Sequence, residues 1–236
     1  MKIFLCLSVL LLCNAFLWAQ KTVLVYSKTT GFRHESILEG IACIQELGKE
    51  HHFKVITTEN TADFNNDLLK EINLVLFLSP TGENFNKQQR KAFKKYIANG
   101  GNFMGVHAAT DTEFEWPWFG KLVGAYFTDH PKVCEASIKV VDDTHFSTKH
   151  LPNIWKRTDE WYNFKNINPD IHVLLKLDES SYKGGKNGDF HPIAWCRTLK
   201  GGGRMFYTGG GHTKGAYHEK NFVKHLWGGI QYCLNP

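Results

Sequence analysis

Three histidines and one carboxylate carry the chemistry that this chain can do. His34 sits in "GFRHES", His107 in "GVHAATD", His212 in "YTGGGHTKG" and Glu160 in "RTDEWYNF". Neutral imidazole nitrogens and a carboxylate oxygen suit a divalent first-row ion, zinc or a neighbour, held with a position left open for water or a sugar oxygen. The same groups serve as general acids and bases. The metal set expected is His34, His107 and His212, with Glu160 as the acid best placed in the second half.

Each assignment has a plainer competitor. His34 opens a helix, where the dipole disfavours imidazolium and leaves a ring able to accept a proton or a metal; a turn or capping histidine would look the same. His107 ends a strand and could be a core histidine bonded to a carbonyl. Gly209, Gly210 and Gly211 before His212 would let backbone pass close to a ligand, or simply form a turn before a solvated ring. His130 in "TDHPKV" and His191 in "GDFHPIAW" each precede proline, which holds them extended for substrate contact. Asp111 could orient an imidazole or touch substrate, whereas Asp159 reads as a solvated turn acid. Trp116, Trp118, Trp161 and Trp195 offer faces for a pyranose, with Trp195 the substrate candidate, although core packing competes at every one. The histidines at 51, 52, 145, 150, 172, 218 and 225 read as surface or helix-face residues.

The elements that must position these groups follow from periodicity. Short apolar runs at 22–27, 53–59, 74–80 and 101–109 read as strands, with helical spacing in "HESILEGIACIQELGKE" and "NKQQRKAFKKYIANG" between them. Strands joined through helices imply right-handed crossovers and a parallel sheet covered on both faces, a doubly wound α/β fold. Further strands are expected at 135–142, 171–180, 192–199 and 204–210, the last two joined as a hairpin by Gly201–Gly203, and a final helix in "HEKNFVKHLWGGIQYCL". In such a sheet ligands bind beyond the carboxyl ends of the strands. Three strands therefore send His34, His107 and His212 to one edge.

Residues 1–20, "MKIFLCLSVLLLCNAFLWAQ", read as a cleaved secretory signal ending near Ala19 or Gln20, which makes the mature protein secreted or periplasmic. The leucines before Cys13 lack the small residue of a lipid-anchor signal, and no later run is long enough to span a membrane. Residues 21–236 fit one domain, since no repeat or linker divides them. A formal charge of +5 with scattered lysines gives no basic stripe for nucleic acid. Cys43, Cys134, Cys196 and Cys233 match no metal spacing and read as buried thiols rather than a bridge.

The segments "GFRH", "GGNFMGVHAATD", "YFTDHP", "DEWY", "HPIAW" and "GGGRMFYTGGGH", in that order, resemble the ThuA-like, trehalose-utilisation family. The resemblance implies a fold similar to the flavodoxin-like, class I glutamine amidotransferases. It also implies a small-molecule carbohydrate substrate, because the family is associated with disaccharide catabolism beside oxidoreductases that make 3-keto sugars. Amidotransferases need a nucleophilic cysteine at a sharp strand-to-helix turn; "GVHAA" puts His107 there instead, which excludes glutamine hydrolysis by a thiolate. The expected activity is carbon–oxygen bond cleavage on an oxidised disaccharide or glycoside, by elimination or hydrolysis. The alternative is a non-catalytic sugar-binding protein using the same cleft.

Overall fold

The computed structural model describes residues 20–235, so the signal expected over 1–20 lies outside the described residues except for Gln20. The first half alternates strand and helix as the periodicity predicts: β1 (Thr22–Tyr26), α1 (Ile37–Glu50), β2 (Lys54–Thr58), α2 (Asn66–Leu69), β3 (Leu74–Leu78), α3 (Lys87–Ala98) and β4 (Asn102–Val106). The second half holds α4 (Pro117–Val123), then β5 (Tyr126–Asp129), β6 (Cys134–Val140), β7 (Ile154–Asp159) and β8 (Asn163–Lys165). It continues through β9 (His172–Asp178), β10 (Pro192–Thr198), β11 (Arg204–Thr208) and α5 (Lys220–Leu234).

Nine strands form one sheet in the order β2-β1-β3-β4-β11-β10-β9-β6-β7. From β2 to β11 the pairings are parallel, and from β11 to β7 antiparallel. The fold class is therefore the expected doubly wound α/β architecture, extended by an antiparallel wing. β3, "LVLFL", is buried at all five positions, as a strand covered on both faces requires. Its neighbours Phe77 and Leu78 point to opposite faces. Phe77 packs with Phe93 of α3 and Phe119 of α4, at ring centroids 5.7 and 5.5 Å, whereas Leu78 meets α1 at Gly40. Phe206 of β11 presses on α5 at Gly229. Helices α1 and α5 thus cover one face and α3 and α4 the other.

The last sequence strand of the sheet, β11, lies at its centre, parallel to β4 and antiparallel to β10. The short β5, β7 and β8 carry no plain apolar run. In β7 the inward positions are Trp155, Arg157 and Asp159, two of them charged, so alternation of hydrophobicity does not reveal it.

Of the histidines read as surface or helix-face residues, His225 lies on the inward face of α5 and His145 is half-buried. His225 of α5 is 0% exposed and donates from Nδ1 to the Ser147 carbonyl at 2.8 Å. Burial pushes it down to about 3 and pushes His145 down to about 4. Below the ordinary value near 6.5 the unfolded chain binds protons on both rings while the native chain does not. Native stability is therefore lost as pH falls from about 6.5 towards 4, by roughly 1.4 kcal/mol per pH unit for each ring. Urea denaturation of metal-free protein at pH 7, 5.5 and 4.5 checks this; equal midpoints would show that the two rings are protonated in place.

Candidate functional site

Each member of the cluster is set by the end of a strand. The segment after β1 is pinned to the segment after β3: Thr30 N donates to the Thr81 carbonyl (2.9 Å), and Thr81 Oγ1 donates to the Phe32 carbonyl (2.8 Å). This carries His34 over the sheet edge, where it is 3% exposed. His107 is the first residue beyond β4 and has φ 50. That left-handed conformation is strained for a residue with a Cβ and turns the chain sharply out of the strand. Tyr207 Oη donates to the His107 carbonyl at 2.8 Å and fixes the turn. His212 lies four residues past β11, and Glu160 is the first residue past β7.

His34, His107, His212 and Glu160 each offer one ligand atom, and these atoms lie within 4.8 Å of one another. The imidazole centroids are 4.7 Å apart for His34 and His107 and 5.3 Å for each other pair. Glu160 Oε2 is 3.1 Å from His212 Nδ1 and 3.4 Å from His107 Nε2, while Oε1 is 3.0 Å from His130 Nδ1.

The proton positions decide what the cluster lacks. His107 Nδ1 lies 2.9 Å from the Gly209 carbonyl. A carbonyl only accepts, so Nδ1 carries the hydrogen and a neutral ring aims its Nε2 lone pair at Glu160. An ionised carboxylate only accepts as well. His34 Nδ1, His107 Nε2 and His212 Nδ1 are all buried without a hydrogen-bond partner, the His212–Glu160 contact being close but badly aligned. Tyr162 Oη, 3.5 Å from His34 Nε2, can accept from that nitrogen and leave the Nδ1 lone pair free.

Burial, then His107 and His212, pushes His34 down to about 3. Burial pushes the Glu160 carboxyl up, but His107 and His212 outweigh it and hold it below the usual carboxylate range. Glu160 in turn draws His212 up, although the poor alignment between them gives a shared proton little hold. An ionised carboxylate beside three imidazole nitrogens that have no hydrogen-bond partner makes a set able to hold a metal ion.

The residues behind the cluster correct several expectations. Asp159 is not a solvated acid but 0% exposed. Its Oδ2 accepts from Gly211 N at 2.8 Å, and Oδ1 from His212 N at 3.1 Å and Glu160 N at 2.9 Å. Arg157 Nη1 neutralises it at 3.0 Å. Asp159 thus ties the end of β7 to the segment after β11. Gly210 and Gly211, expected to admit substrate, admit protein instead. A Cβ at Gly210 would lie 2.4 Å from Arg157 Nη1, and Gly211, at φ +112, would bring one within 2.7 Å of Tyr217 Oη.

His191 and Trp195 do not reach the cluster as substrate contacts either. Both are 0% exposed. His191 spends its nitrogens on Glu179 Oε1 (2.7 Å) and the Tyr162 carbonyl (2.8 Å). Trp195 donates to the Val123 carbonyl at 2.8 Å and stacks on Tyr207. Of the other tryptophans, Trp116 and Trp161 are buried, and Trp118 lines a separate cavity of about 1030 Å³ that shares no residue with the cluster.

His130 does approach, 40% exposed and in contact with Glu160. Asp111 is half-buried; burial pushes its carboxyl up to about 6, against the pull of His107 and His130. Tyr162 carries no functional signal by its type, yet its ring lies 4.3 Å from that of His107. The available signal was its place two residues beyond Glu160, the period that keeps side chains on one face of extended chain.

A family model described as "ThuA: Trehalose utilisation" matches residues 22–233. The chain belongs to the ThuA family. That membership gives it a role in trehalose or wider carbohydrate utilisation. Among solved structures, a ThuA-like protein from Bacteroides uniformis is 25% identical, over 90% of this chain and 91% of that one, with a TM-score of 0.75. A ThuA-like protein from Parabacteroides merdae is 20% identical, over 92% of this chain and 90% of that one, with a TM-score of 0.72. PurLQS from Thermotoga maritima is 13% identical, over 90% and 99%, with a TM-score of 0.57. The last two likenesses show the fold alone, consistent with a flavodoxin-like, class I glutamine amidotransferase-like architecture. No curated protein matches the chain.

Proposed function

We propose that this ThuA-family chain is a secreted or periplasmic single-domain enzyme that cleaves 3-keto disaccharides or glycosides by elimination, with a first-row divalent ion, zinc foremost, in the His34–His107–His212–Glu160 cage. The observation that carries this reading is the convergence of three unpaired imidazole nitrogens on an ionised carboxylate. A thiolate mechanism lacks support, because burial pushes the Cys43 and Cys196 thiols up to about 11 and no described cysteine lies in the cage. Secretion is supported by the leader-like composition of residues 1–20, and no helix among the described residues is long and apolar enough to cross a membrane.

When bound, a divalent ion there supplies Lewis acidity to the sugar ketone. The chain supplies the proton transfers. His130 touches Glu160 without being needed to fill the cage, and it is assigned, together with Asp111, to remove and return protons. The base takes the C2 proton beside the ketone; the C2–H electron pair forms the C1–C2 double bond; the C1–O bond breaks, and the departing oxygen takes a proton from the acid. The products are an unsaturated keto sugar and the free alcohol, with no other reactant required. Tyr162 and the Arg157–Asp159 pair keep the cage rings and the Glu160 backbone in register.

Metal analysis tests the reading. Tag-free protein loaded with zinc and gel-filtered is expected to retain close to one equivalent. Less than about a tenth of an equivalent would remove the metal from the proposal, given the tight binding that a three-histidine, one-carboxylate set provides.

A further inference from the structure

The cage binds charge and oxygen; a sugar also needs a surface for its apolar C–H face. The tryptophans named for that purpose are buried or lie elsewhere, which leaves the aromatic next to His34. Phe32 is 64% exposed, the most exposed aromatic among the described large hydrophobic residues. Its ring stands edge-on to His34, centroids 4.9 Å apart at 85°.

It is not a loose loop tip. Its carbonyl accepts from Thr81 Oγ1, Thr29 bridges to Thr81, and Thr30 is bonded to the Thr81 and Glu83 carbonyls. On its other side Arg33 pairs with Glu59 at 2.7 Å. A large apolar ring is thus fixed in solvent, one imidazole away from the cage. His34 itself is covered and Phe32 packs against its ring, while His212 and His130 are the part-exposed groups near Glu160.

We infer that Phe32 is the stacking platform for the substrate pyranose and so a specificity-determining residue of the proposed site. This rests on the carbohydrate reading above. Aromatic faces take apolar surface without demanding hydrogen bonds, so the platform selects for pyranoses whose hydroxyl configuration leaves one C–H face uninterrupted. Such contact is equal in ground and transition states and therefore acts on KM rather than kcat.

The test uses zinc-loaded full mature chain, with trehalose as the binding probe in calorimetry and 3-keto-trehalose for kinetics. Phe32→Ala is expected to weaken trehalose binding and raise KM by roughly five- to tenfold, with kcat and zinc content held. Phe32→Trp should restore both, and Phe32→Leu should not. Phe146→Ala, a distant exposed aromatic, should match wild type. Wild-type affinity in Phe32→Ala, with trehalose binding intact in both, overturns the platform alone. If wild type retains zinc but binds neither sugar, the carbohydrate reading falls and the platform with it.

Discussion

Glu160→Gln is expected to lower zinc affinity by roughly a hundredfold or more and to abolish turnover, with secondary structure unchanged. Outer partners of metal ligands are commonly worth 10- to 100-fold in affinity, and a direct carboxylate ligand should exceed that. The amide keeps the size of Glu160 but removes the charge that faces His107 and His212 at 3.4 and 3.1 Å. Asp159→Asn is the informative companion. Asp159 offers no atom to the cage, yet its carboxylate receives the backbone N–H groups of Glu160, Gly211 and His212. It should weaken zinc by a smaller factor, about 10- to 100-fold. Calorimetric titration with zinc, alongside circular dichroism, separates these outcomes; equal zinc affinity in Glu160→Gln and wild type would remove Glu160 from the cage.

The second large effect is on substrate. Unoxidised trehalose should be inert, because without the ketone its C2 proton is far too weak an acid for a carboxylate or an imidazole. The 3-keto form should release its alcohol and, in heavy water, exchange deuterium at C2. His107→Ala and His212→Ala should each lower the rate roughly 10²-fold or more, the scale of a lost acid–base or electrostatic group. Equal cleavage of both sugars would replace elimination by hydrolysis. Binding without turnover of either would make the chain a sugar-binding protein.

The site was legible where one rule sufficed. Parallel strands place their carboxyl ends on one edge, so His34, His107 and His212 could be brought together from β1, β4 and β11 without coordinates. The same alternation of strand and helix gave the sheet itself away. What stayed hidden depends on partners distant in sequence. Asp159 looks solvated until Arg157 and the backbone of Gly211 and His212 are known to meet it, 52 and 53 residues on for the two N–H groups. The glycines before His212 signal close approach correctly, but a sequence cannot say whether a ligand or the Arg157 guanidinium makes it. His191 and Trp195 were misplaced for the opposite reason. Both sit where a strand begins or runs through, and their polar atoms are consumed by Glu179, the Tyr162 carbonyl and the Val123 carbonyl. Nothing in the sequence around Phe32 distinguishes it from the buried phenylalanines, although it is 64% exposed.

The central place of β11 governs how the molecule is made. Until residues 204–208 insert, β4 and β10 have no neighbour on that side, and the parallel and antiparallel halves are not joined. The pairing of β4 with β11 closes about a hundred residues of intervening chain (Phe103 with Met205), the kind of long-range contact that makes folding slow. His107 gains the Gly209 carbonyl only then, and Glu160 gains the rest of its ring of histidines only then. A chain interrupted before β11 would expose two unsatisfied strand edges, which invites edge-to-edge aggregation. Assembly of the His34–His107–His212–Glu160 cluster is therefore a late event in folding, and a nascent chain stalled ahead of its last strand exposes open sheet edges with the cluster still incomplete.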